Sequence, residues 1–296
     1  MENAVVAMLK KYGPARGLIF VNSPKSCDVL FTNDVFPEEV LGLHKPRVKR
    51  MDGVFWRENL KDRNAPYNLA ATQADHVVFI SQFSQRSLHE LYGEIKLKNE
   101  SVIVNWVDSE LFPCIEKRVK TPKKWVAVAT SWEREEKRFA DLCRFATEVL
   151  DGELFLVGNC EKPVPKNVIV LGYKDYRELG ETLRQMDALI NLSYRDVAPK
   201  VVAEAICSGI PTLVAQSGGA SEVCGACVAI PDFFEYCFES ETPQLEIRQV
   251  KLCYESFVRN YQHFKGMCNQ FTAKRLTKNL IDRYIAVFKQ VGGVYA

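Results

Sequence analysis

The sequence lacks the long apolar runs and the excess of charge that would place it in a specialised class of protein. It has no stretch of about 18 apolar residues, so it predicts no membrane-spanning helix, and its N-terminus does not have the order of a signal peptide. Its 39 Lys and Arg residues against 37 Asp and Glu residues give a formal net charge of +2. Because nucleic-acid-binding proteins usually carry a strongly basic face, we expect no nucleic acid among the partners.

Metal-binding patterns are missing as well. The four histidines have no ligand spacing, and the CxxC pair of Cys224 and Cys227 has no second pair at a suitable distance. We therefore expect no metal site. The ten cysteines are scattered along the chain, which is typical of reduced, mostly buried thiols in a cytoplasmic protein.

Short apolar runs alternate with helical patterns, which predicts an α/β fold with parallel strands and right-handed crossovers. The predicted strands are residues 18–21, 27–32, 45–51, 76–80, 101–107, 125–130, 154–158, 168–172, 188–192 and 212–215. A charged run between the fifth and sixth strands is the best linker. We therefore predict two Rossmann-like domains facing a cleft, with a last helix crossing back to the first domain. The predicted limits are 1–118, 119–274 and 275–296.

Residues 191–222 carry the strongest indication of a binding site. They read as a strand end, a polar loop, a helix over 201–209, a short strand and a Gly-Gly loop. Ligands of open α/β sheets bind outside the carboxyl ends of strands, and two such ends lie here. Two acids, Asp196 and Glu204, accompany the start of the helix. Taken alone, the two acids are explained by a favourable interaction with the helix dipole as well as by a role in binding.

The N-terminus of this helix is a candidate site for a diphosphate, because its first amides point out of the helix. Pro199, Lys200 and Val201 lie at this position, and Lys200 adds a cation. Glu204 suits a ribose, since a carboxylate accepts bonds from paired hydroxyls. Asp196 suits sugar hydroxyls or the positive charge that develops at an anomeric carbon.

The same stretch resembles the donor-binding half of GT-B glycosyltransferases, in particular glycosyltransferase family 4. The family motif is an acid, seven residues and Glu, followed by Ala, Gly-x-Pro and a Gly-Gly-x-x-Glu loop. The corresponding residues here are Asp196, Glu204, Ala205, Gly209, Pro211, Gly218, Gly219 and Glu222. The family usually has Glu at the first position, so Asp196 keeps the charge but shortens the reach. The resemblance covers residues ~120–225 and implies that Gly218 and Gly219 contact the donor.

Residues 126–142 resemble the first strand, loop and helix of that donor domain. The resemblance implies that Lys137 contacts the diphosphate. The family commonly has an Arg six residues earlier, and Ser131 takes this position here and is a further candidate for donor binding. Arg134 and Arg138 are candidate replacements, with solvated helix charges as the alternative interpretation.

Weaker signals lie elsewhere in the chain. In relatives, the loop at Gly172 and Tyr173 lies near the nucleotide base. The N-terminal half looks shortened, and it has Asp52 where the family often has a catalytic histidine. Asp52 is therefore a second catalytic candidate, with Arg50 and Gly53 on the acceptor side. An ordinary ion pair at a strand end explains Arg50 and Asp52 equally well.

We therefore expect a glycosyltransferase that moves a sugar from a nucleoside diphosphate sugar to a hydroxyl of a glycan or lipid-linked acceptor. The resemblance implies retention of anomeric configuration. The sequence has no Asp-x-Asp loop, so no metal ion or other cofactor is expected. The alternatives are a nucleotide-sugar hydrolase or epimerase of the same fold, or a non-catalytic sugar-nucleotide-binding protein. A dehydrogenase is disfavoured because no GxGxxG follows the first strand of either half. The sequence indicates no oligomeric state.

Peripheral contact with an anionic membrane is a further expectation, with a solvated basic face as the alternative. The residues concerned are Lys10, Lys11, Arg16, Lys45, Arg47, Lys49 and Arg50.

Overall fold

The computed structural model describes most of the chain: residues 4–115, 119–222, 227–239, 241–270 and 273–292, with only the backbone at 273–277. The residues group by their contacts into two compact units. The first is Met1–Trp106, Tyr236–Ser240 and Thr277–Ala296, and the second is Val107–Glu235 and Glu241–Leu276. The domain limits predicted from the sequence (1–118, 119–274 and 275–296) stay predictions.

The first unit is built on a small parallel sheet. Its elements are α1 (Ala4–Tyr12), β1 (Leu30–Thr32), α2 (Glu38–Leu41), β2 (Arg47–Met51), α3 (Ala65–Gln73), β3 (His76–Phe79), α4 (Gln82–Leu91) and β4 (Glu100–Val102). Short 3-10 helices lie at Pro14–Arg16, Pro24–Ser26 and Glu58–Asn64. The four strands pair in the order β1-β2-β3-β4. Ser81 is the N-cap of α4, because the Ser81 Oγ accepts the Ser84 N–H at 2.9 Å.

The prediction of a strand at residues 18–21 is wrong. β1 occupies the position beside β2 instead, with Leu30 paired to Arg47. Ile19 and Phe20 are 77% and 44% exposed and lie in irregular chain. Strand propensity stabilises a strand only where a partner strand and a packing face exist, and in the described sheets these residues pair with no strand.

The prediction of a basic surface at residues 45–50 is wrong for Lys49 and Arg50, which are only 1% and 4% exposed. The Lys49 Nζ donates to the backbone carbonyls of Asn33 and Arg50, both at 2.9 Å. It also lies 5.5 Å from the centroid of the Tyr67 ring. Burial lowers the pKa of Lys49 to about 8. Both residues therefore belong to the interior at the carboxyl end of the sheet.

A short segment from far along the chain also pairs within the first unit. Glu239 and Arg57 form a parallel bridge. The Glu58 N–H donates to the Glu239 carbonyl at 3.2 Å, and the Glu239 N–H donates to the Trp56 carbonyl at 3.1 Å. The Tyr236 ring lies 6.1 Å from that of Trp56. The first unit is therefore completed by residues that interrupt the sequence of the second.

The second unit contains a larger parallel sheet. Its elements are β5 (Lys124–Ser131), α5 (Phe139–Glu148), β6 (Glu153–Asn159), β7 (Val168–Gly172), α6 (Tyr176–Leu183), β8 (Ala188–Asn191), α7 (Lys200–Cys207), β9 (Thr212–Ala215), β10 (Cys227–Ile230), α8 (Ile247–Arg259) and α9 (Tyr261–Cys268). The strand order is β10-β9-β8-β5-β6-β7. The chain therefore builds outward from β5 to β7 and then returns to the other side of β5. The winding reverses between β5 and β8, which is where such sheets bind ligands.

Aromatic packing fixes two helices against the centre of this sheet. Trp125 of β5 is fully buried, and its ring centroid lies 5.6 Å from Phe145, 5.6 Å from Tyr254 and 5.0 Å from Phe257. Because aromatic side chains bury about 150–250 Å² each, this cluster is a large part of the apolar burial that holds α5 and α8 in place.

The last helix, α10 (Ala273–Gln290), begins within the last residues of the second unit, and its residues from Thr277 onward belong to the first. Its Tyr284 and Phe288 rings both lie 5.8 Å from Phe31 of β1, within the first unit. Within the described residues, no helix combines the length and the apolar character needed to cross a membrane.

Lys49 should make stability depend on pH. Its pKa falls from the ordinary value of 10.5 to about 8 on folding, so the unfolded chain holds more protons between these values. The free energy of unfolding should therefore rise with pH across this window. We expect Lys49→Met to remove this rise, measured by urea unfolding at a series of pH values. Lys25→Met, at an exposed lysine of the same unit, should keep the wild-type slope. Equal slopes in the wild type and Lys49→Met would contradict the assignment.

Candidate functional site

The loops that follow β5 and β8 meet at the carboxyl edge of the second sheet. They are joined by a backbone hydrogen bond from the Tyr194 N–H to the Glu136 carbonyl at 2.8 Å. These loops carry Lys137 and Asp196, which the sequence predicts as a diphosphate contact and a catalytic acid. Both residues therefore lie where the winding of the sheet reverses.

Lys137 and Asp196 form an ion pair. The Lys137 Nζ lies 2.8 Å from Asp196 Oδ2 and 3.4 Å from Ser193 Oγ. The side chains are 14% and 20% exposed, so solvent screens their attraction less than it would at an open surface. A phosphate entering beside them would compete with Asp196 for the ammonium group of Lys137.

Left-handed backbone conformations lie directly beside Lys137 and Asp196. Arg138 and Arg195, with φ of 52° and 53°, are the non-glycine residues of the described chain with positive φ. Such a conformation costs about 1–3 kcal/mol and persists only where the surroundings enforce it. Arg138 directly follows Lys137, and Arg195 directly precedes Asp196. The strained residues therefore adjoin both members of the ion pair.

Arg138, Tyr194 and Arg195 form an arginine–tyrosine cluster that enforces these turns. Each guanidinium lies 4.8 Å from the centroid of the Tyr194 ring. Arg138 is 4% exposed and forms a bidentate ion pair with Asp232, at 2.6 and 3.1 Å. Arg195 is 5% exposed and donates to the Glu235 carbonyl. The cluster therefore ties both loops to the segment that follows β10.

The candidate replacements for the family's arginine are engaged elsewhere in this structure. The Arg138 guanidinium belongs to the arginine–tyrosine cluster. The Arg134 Nε donates to Glu136 Oε1 at 2.6 Å. The Ser131 Oγ accepts the Glu133 N–H at 3.2 Å and is therefore part of a local turn. Of the sequence-predicted cations after β5, Lys137 is the one directed at Asp196.

The Gly-Gly loop after β9 packs on the backbone of Asp196. The Gly219 N–H donates to the Asp196 carbonyl at 2.9 Å, and the Arg195 N–H donates to the Ser217 carbonyl at 3.0 Å. A Cβ at Gly218 would lie 2.4 Å from the Asp196 carbonyl oxygen, so the approach excludes any side chain. The Gly219 amide, expected to contact the donor, thus donates to the backbone of the other loop.

α7 starts directly after the loop that holds Asp196. Pro199 precedes its first turn, which contains Lys200 and Val201, and no side chain caps the helix. Glu204 lies one turn further and is 2% exposed. Burial raises the pKa of the Glu204 carboxyl, opposed by the nearby charge of Lys200.

Tyr176 is the partner of Glu204 that the sequence analysis missed. Its hydroxyl donates to Glu204 Oε1 at 2.7 Å, across 28 residues of sequence. The Lys200 Nζ donates to the Tyr176 hydroxyl oxygen at 3.0 Å and lies 3.8 Å from Glu204 Oε1. A tyrosine in the first turn of an amphipathic helix gives no sign of a site, since only the fold brings α6 to α7.

The proposed base-binding residues lie between β7 and α6. Gly172 ends β7 with φ of 71°, and a Cβ there would meet nothing within 4 Å. Tyr173 is 62% exposed. The loop leads directly to Tyr176, and its contact with a base stays a prediction.

The acceptor-side candidates lie in the first unit, at the carboxyl end of β2. The buried Arg50 donates to the Asp52 carboxylate and to Asn105 Oδ1, the latter at 2.6 Å. The Asp52 side chain is 54% exposed, and Gly53 has φ of 141°. This geometry fits both an acceptor-binding acid and an ion pair that terminates the strand.

One family description matches part of the chain. A family model described as "Glycosyl transferases group 1" matches residues 161–229. This range contains Asp196, Glu204 and the Gly-Gly loop, and it spans less than half of the chain. No curated protein matches the chain in sequence.

Several solved structures are similar over most of the chain. Anabaena Alr3699/HepE in complex with UDP-glucose has a TM-score of 0.60 and 16% identity, covering 88% of this chain and 79% of that one. Sucrose-phosphate synthase from Thermosynechococcus elongatus has a TM-score of 0.65 and 13% identity, covering 97% and 76%. WaaG, a glycosyltransferase involved in lipopolysaccharide biosynthesis, has a TM-score of 0.54 and 16% identity, covering 94% and 80%.

These similarities confirm the predicted fold class. The chain has an α/β fold of the GT-B type, with two Rossmann-like parallel sheets. The cleft expected between the two domains stays a prediction.

Tyr194 should stabilise the second unit through its ring. Tyr194→Leu removes two cation–π contacts of about 0.5–2 kcal/mol each, so we expect the free energy of unfolding to fall by about 2 kcal/mol. Tyr194→Phe keeps the ring and should lose less than half as much. Urea unfolding measures both. A Phe variant as unstable as the Leu variant would assign the effect to the hydroxyl group and contradict the cluster's role.

Proposed function

We propose that the chain transfers a sugar from a nucleoside diphosphate sugar to a hydroxyl of a glycan or lipid-linked acceptor, with retention of anomeric configuration and without a metal ion. The observation that carries this proposal is the Lys137–Asp196 ion pair at the ligand-binding edge of the second sheet. The match of residues 161–229 to a glycosyltransferase family supports it. A structural relative holds UDP-glucose, so UDP is the first nucleotide to test.

The donor is proposed to lie across the start of α7. Lys137 and the helix N-terminus would hold the diphosphate, because both carry positive charge at the same edge. Glu204 would bind the ribose, and Gly172 and Tyr173 would border the base. Asp196 would be released from Lys137 when the diphosphate takes its place.

In the proposed reaction the bond between the anomeric carbon and the diphosphate oxygen breaks. The acceptor oxygen bonds to the same face of that carbon, and its proton passes to the leaving phosphate. Negative charge collects on the diphosphate, where Lys137 stabilises it. Asp196 would face the positive charge that develops at the anomeric carbon. Asp52, with Arg50 beside it, would orient the acceptor hydroxyl.

Single substitutions should separate binding from turnover. Glu204→Ala should greatly weaken UDP binding, since it removes the ribose contact and leaves Lys200 and Tyr176 without their partner. Asp196→Ala should keep UDP binding and lower turnover by at least about a hundredfold, as expected for an electrostatic contact made in the transition state. Calorimetry measures binding, and product formation from a panel of nucleotide sugars measures turnover.

The same assays decide between the alternative functions. Activity that persists with a chelator present would support transfer without a metal ion. Release of free sugar without an acceptor would indicate a hydrolase, and an altered sugar on the nucleotide would indicate an epimerase. Normal donor binding and turnover in Glu204→Ala would show that the site is wrongly assigned.

We also propose that the first unit contacts anionic lipid near its N-terminus. The exposed Lys10 and Lys11 lie in the last turn of α1, and the exposed Ile19 and Phe20 follow. Each lysine near an anionic surface contributes about 1 kcal/mol, and the apolar side chains add burial in the interface.

Vesicle sedimentation tests this surface. We expect binding to vesicles that contain phosphatidylglycerol and little binding to phosphatidylcholine alone. Replacing both Ile19 and Phe20 by Ser should weaken the binding severalfold. Leu252→Ser, at a 53% exposed position of the second unit, should not. Equal binding by all variants would contradict the proposal.

A further inference from the structure

Three side chains form a chain of hydrogen bonds beside the proposed donor site. The Lys200 Nζ donates to the Tyr176 hydroxyl oxygen at 3.0 Å, and that hydroxyl donates to Glu204 Oε1 at 2.7 Å. We name it the Lys200–Tyr176–Glu204 chain. It joins α6 to α7 and includes the residue expected to hold the ribose.

We propose that Tyr176 and Lys200 are positioning residues for ribose recognition. They hold Glu204 Oε1 and so leave the second carboxylate oxygen to accept a ribose hydroxyl of the donor. This inference rests on the proposed function. It also places Lys200 on the ribose side of the nucleotide rather than at the diphosphate.

The location of Lys200 carries this assignment. Its ammonium group lies 3.0 Å from the Tyr176 hydroxyl, 3.8 Å from Glu204 Oε1 and 4.6 Å from the centroid of the Tyr176 ring. Glu204 is almost fully buried, and a buried carboxylate that loses its compensating cation is strongly destabilised. Moving Lys200 to a diphosphate would therefore carry a penalty that Lys137 does not share, since Lys137 pairs with a more exposed acid.

Tyr176 is held in place independently of Glu204. Its ring contacts Phe112 at 5.0 Å in an edge-to-face arrangement. The preceding residue, Asp175, caps α6 by accepting the N–H groups of Arg177 and Glu178 at 2.9 and 2.8 Å. The hydroxyl is therefore presented to Glu204 from a rigid helix start.

The titratable groups around the Lys200–Tyr176–Glu204 chain keep the Tyr176 hydroxyl protonated. Burial, Glu204 and Asp108 raise the pKa of Tyr176, so its hydroxyl stays a donor. Burial also raises the pKa of the Cys207 thiol, one turn along α7, to about 12, which keeps it neutral. Glu204 faces Lys200 and Tyr176, which both favour its ionised form.

The test compares two nucleotides that differ only at the ribose. UDP carries both ribose hydroxyls, and 2′,3′-dideoxy-UDP carries neither. We expect Tyr176→Phe and Lys200→Met to weaken UDP binding about tenfold each, the factor of a hydrogen bond to a charged group. Binding of the dideoxy nucleotide should stay within about twofold of wild type, because the diphosphate contacts are unchanged.

A pH series adds a second readout on the same variants. UDP affinity should fall as the pH decreases and Glu204 takes up a proton. In Tyr176→Phe the fall should begin at a higher pH, because the lost hydroxyl had stabilised the ionised carboxylate. Tyr261→Phe is the matched control, since this buried tyrosine donates to the Asp187 carbonyl at 2.9 Å, away from Glu204.

Each outcome decides the matter. Losses confined to UDP support the inference. Equal losses of affinity for both nucleotides overturn the inference. Lys200 would then contact the diphosphate or stabilise the fold. A wild type that binds both nucleotides equally well overturns ribose recognition but not the proposed function. A wild type that binds neither nucleotide, together with a nucleotide-sugar panel that gives no product, overturns both the inference and the proposed function.

Discussion

The geometry of the candidate site depends on two left-handed turns held by one aromatic ring. Lys137 and Asp196 meet at 2.8 Å because Arg138 and Arg195 bend the backbone beside them. Tyr194 and the segment after β10 stabilise both arginines. The strain is compensated by buried ion pairing and cation–π contact. The arrangement therefore keeps a cation and an acid together at the edge of the sheet before any ligand arrives.

Desolvation organises the second half of the site in a different way. Glu204 is buried without a salt bridge of ideal length, so its charge is stabilised by a tyrosine hydroxyl and a lysine at 3.8 Å. A buried carboxylate of this kind tolerates few arrangements of its neighbours. The start of α7 is thus stabilised by electrostatic contacts, while the adjoining loops depend on left-handed backbone.

The sequence predicted the alternation of strands and helices well, because buried parallel strands are continuous apolar runs. Gly209, with φ of 82°, follows the C-cap residue of α7. β9 occupies the predicted residues 212–215. Prediction from the sequence failed where a residue lies in an environment unusual for its type. Lys49 reads as a surface lysine but is buried, and residues 18–21 have strand composition without a partner. Tyr176 could not be found, since its contact with Glu204 depends on tertiary structure alone.

The pairing of Glu239 with the backbone around Arg57 bears on how such a protein evolves. The segment Tyr236–Ser240 belongs to the first unit but is encoded between two parts of the second. Recombination that exchanged one half for a foreign counterpart would carry this segment away from its hydrogen-bonding partners. The two halves therefore cannot be exchanged independently of each other. Point substitutions within each half would therefore disturb the fold less than an exchange of whole halves.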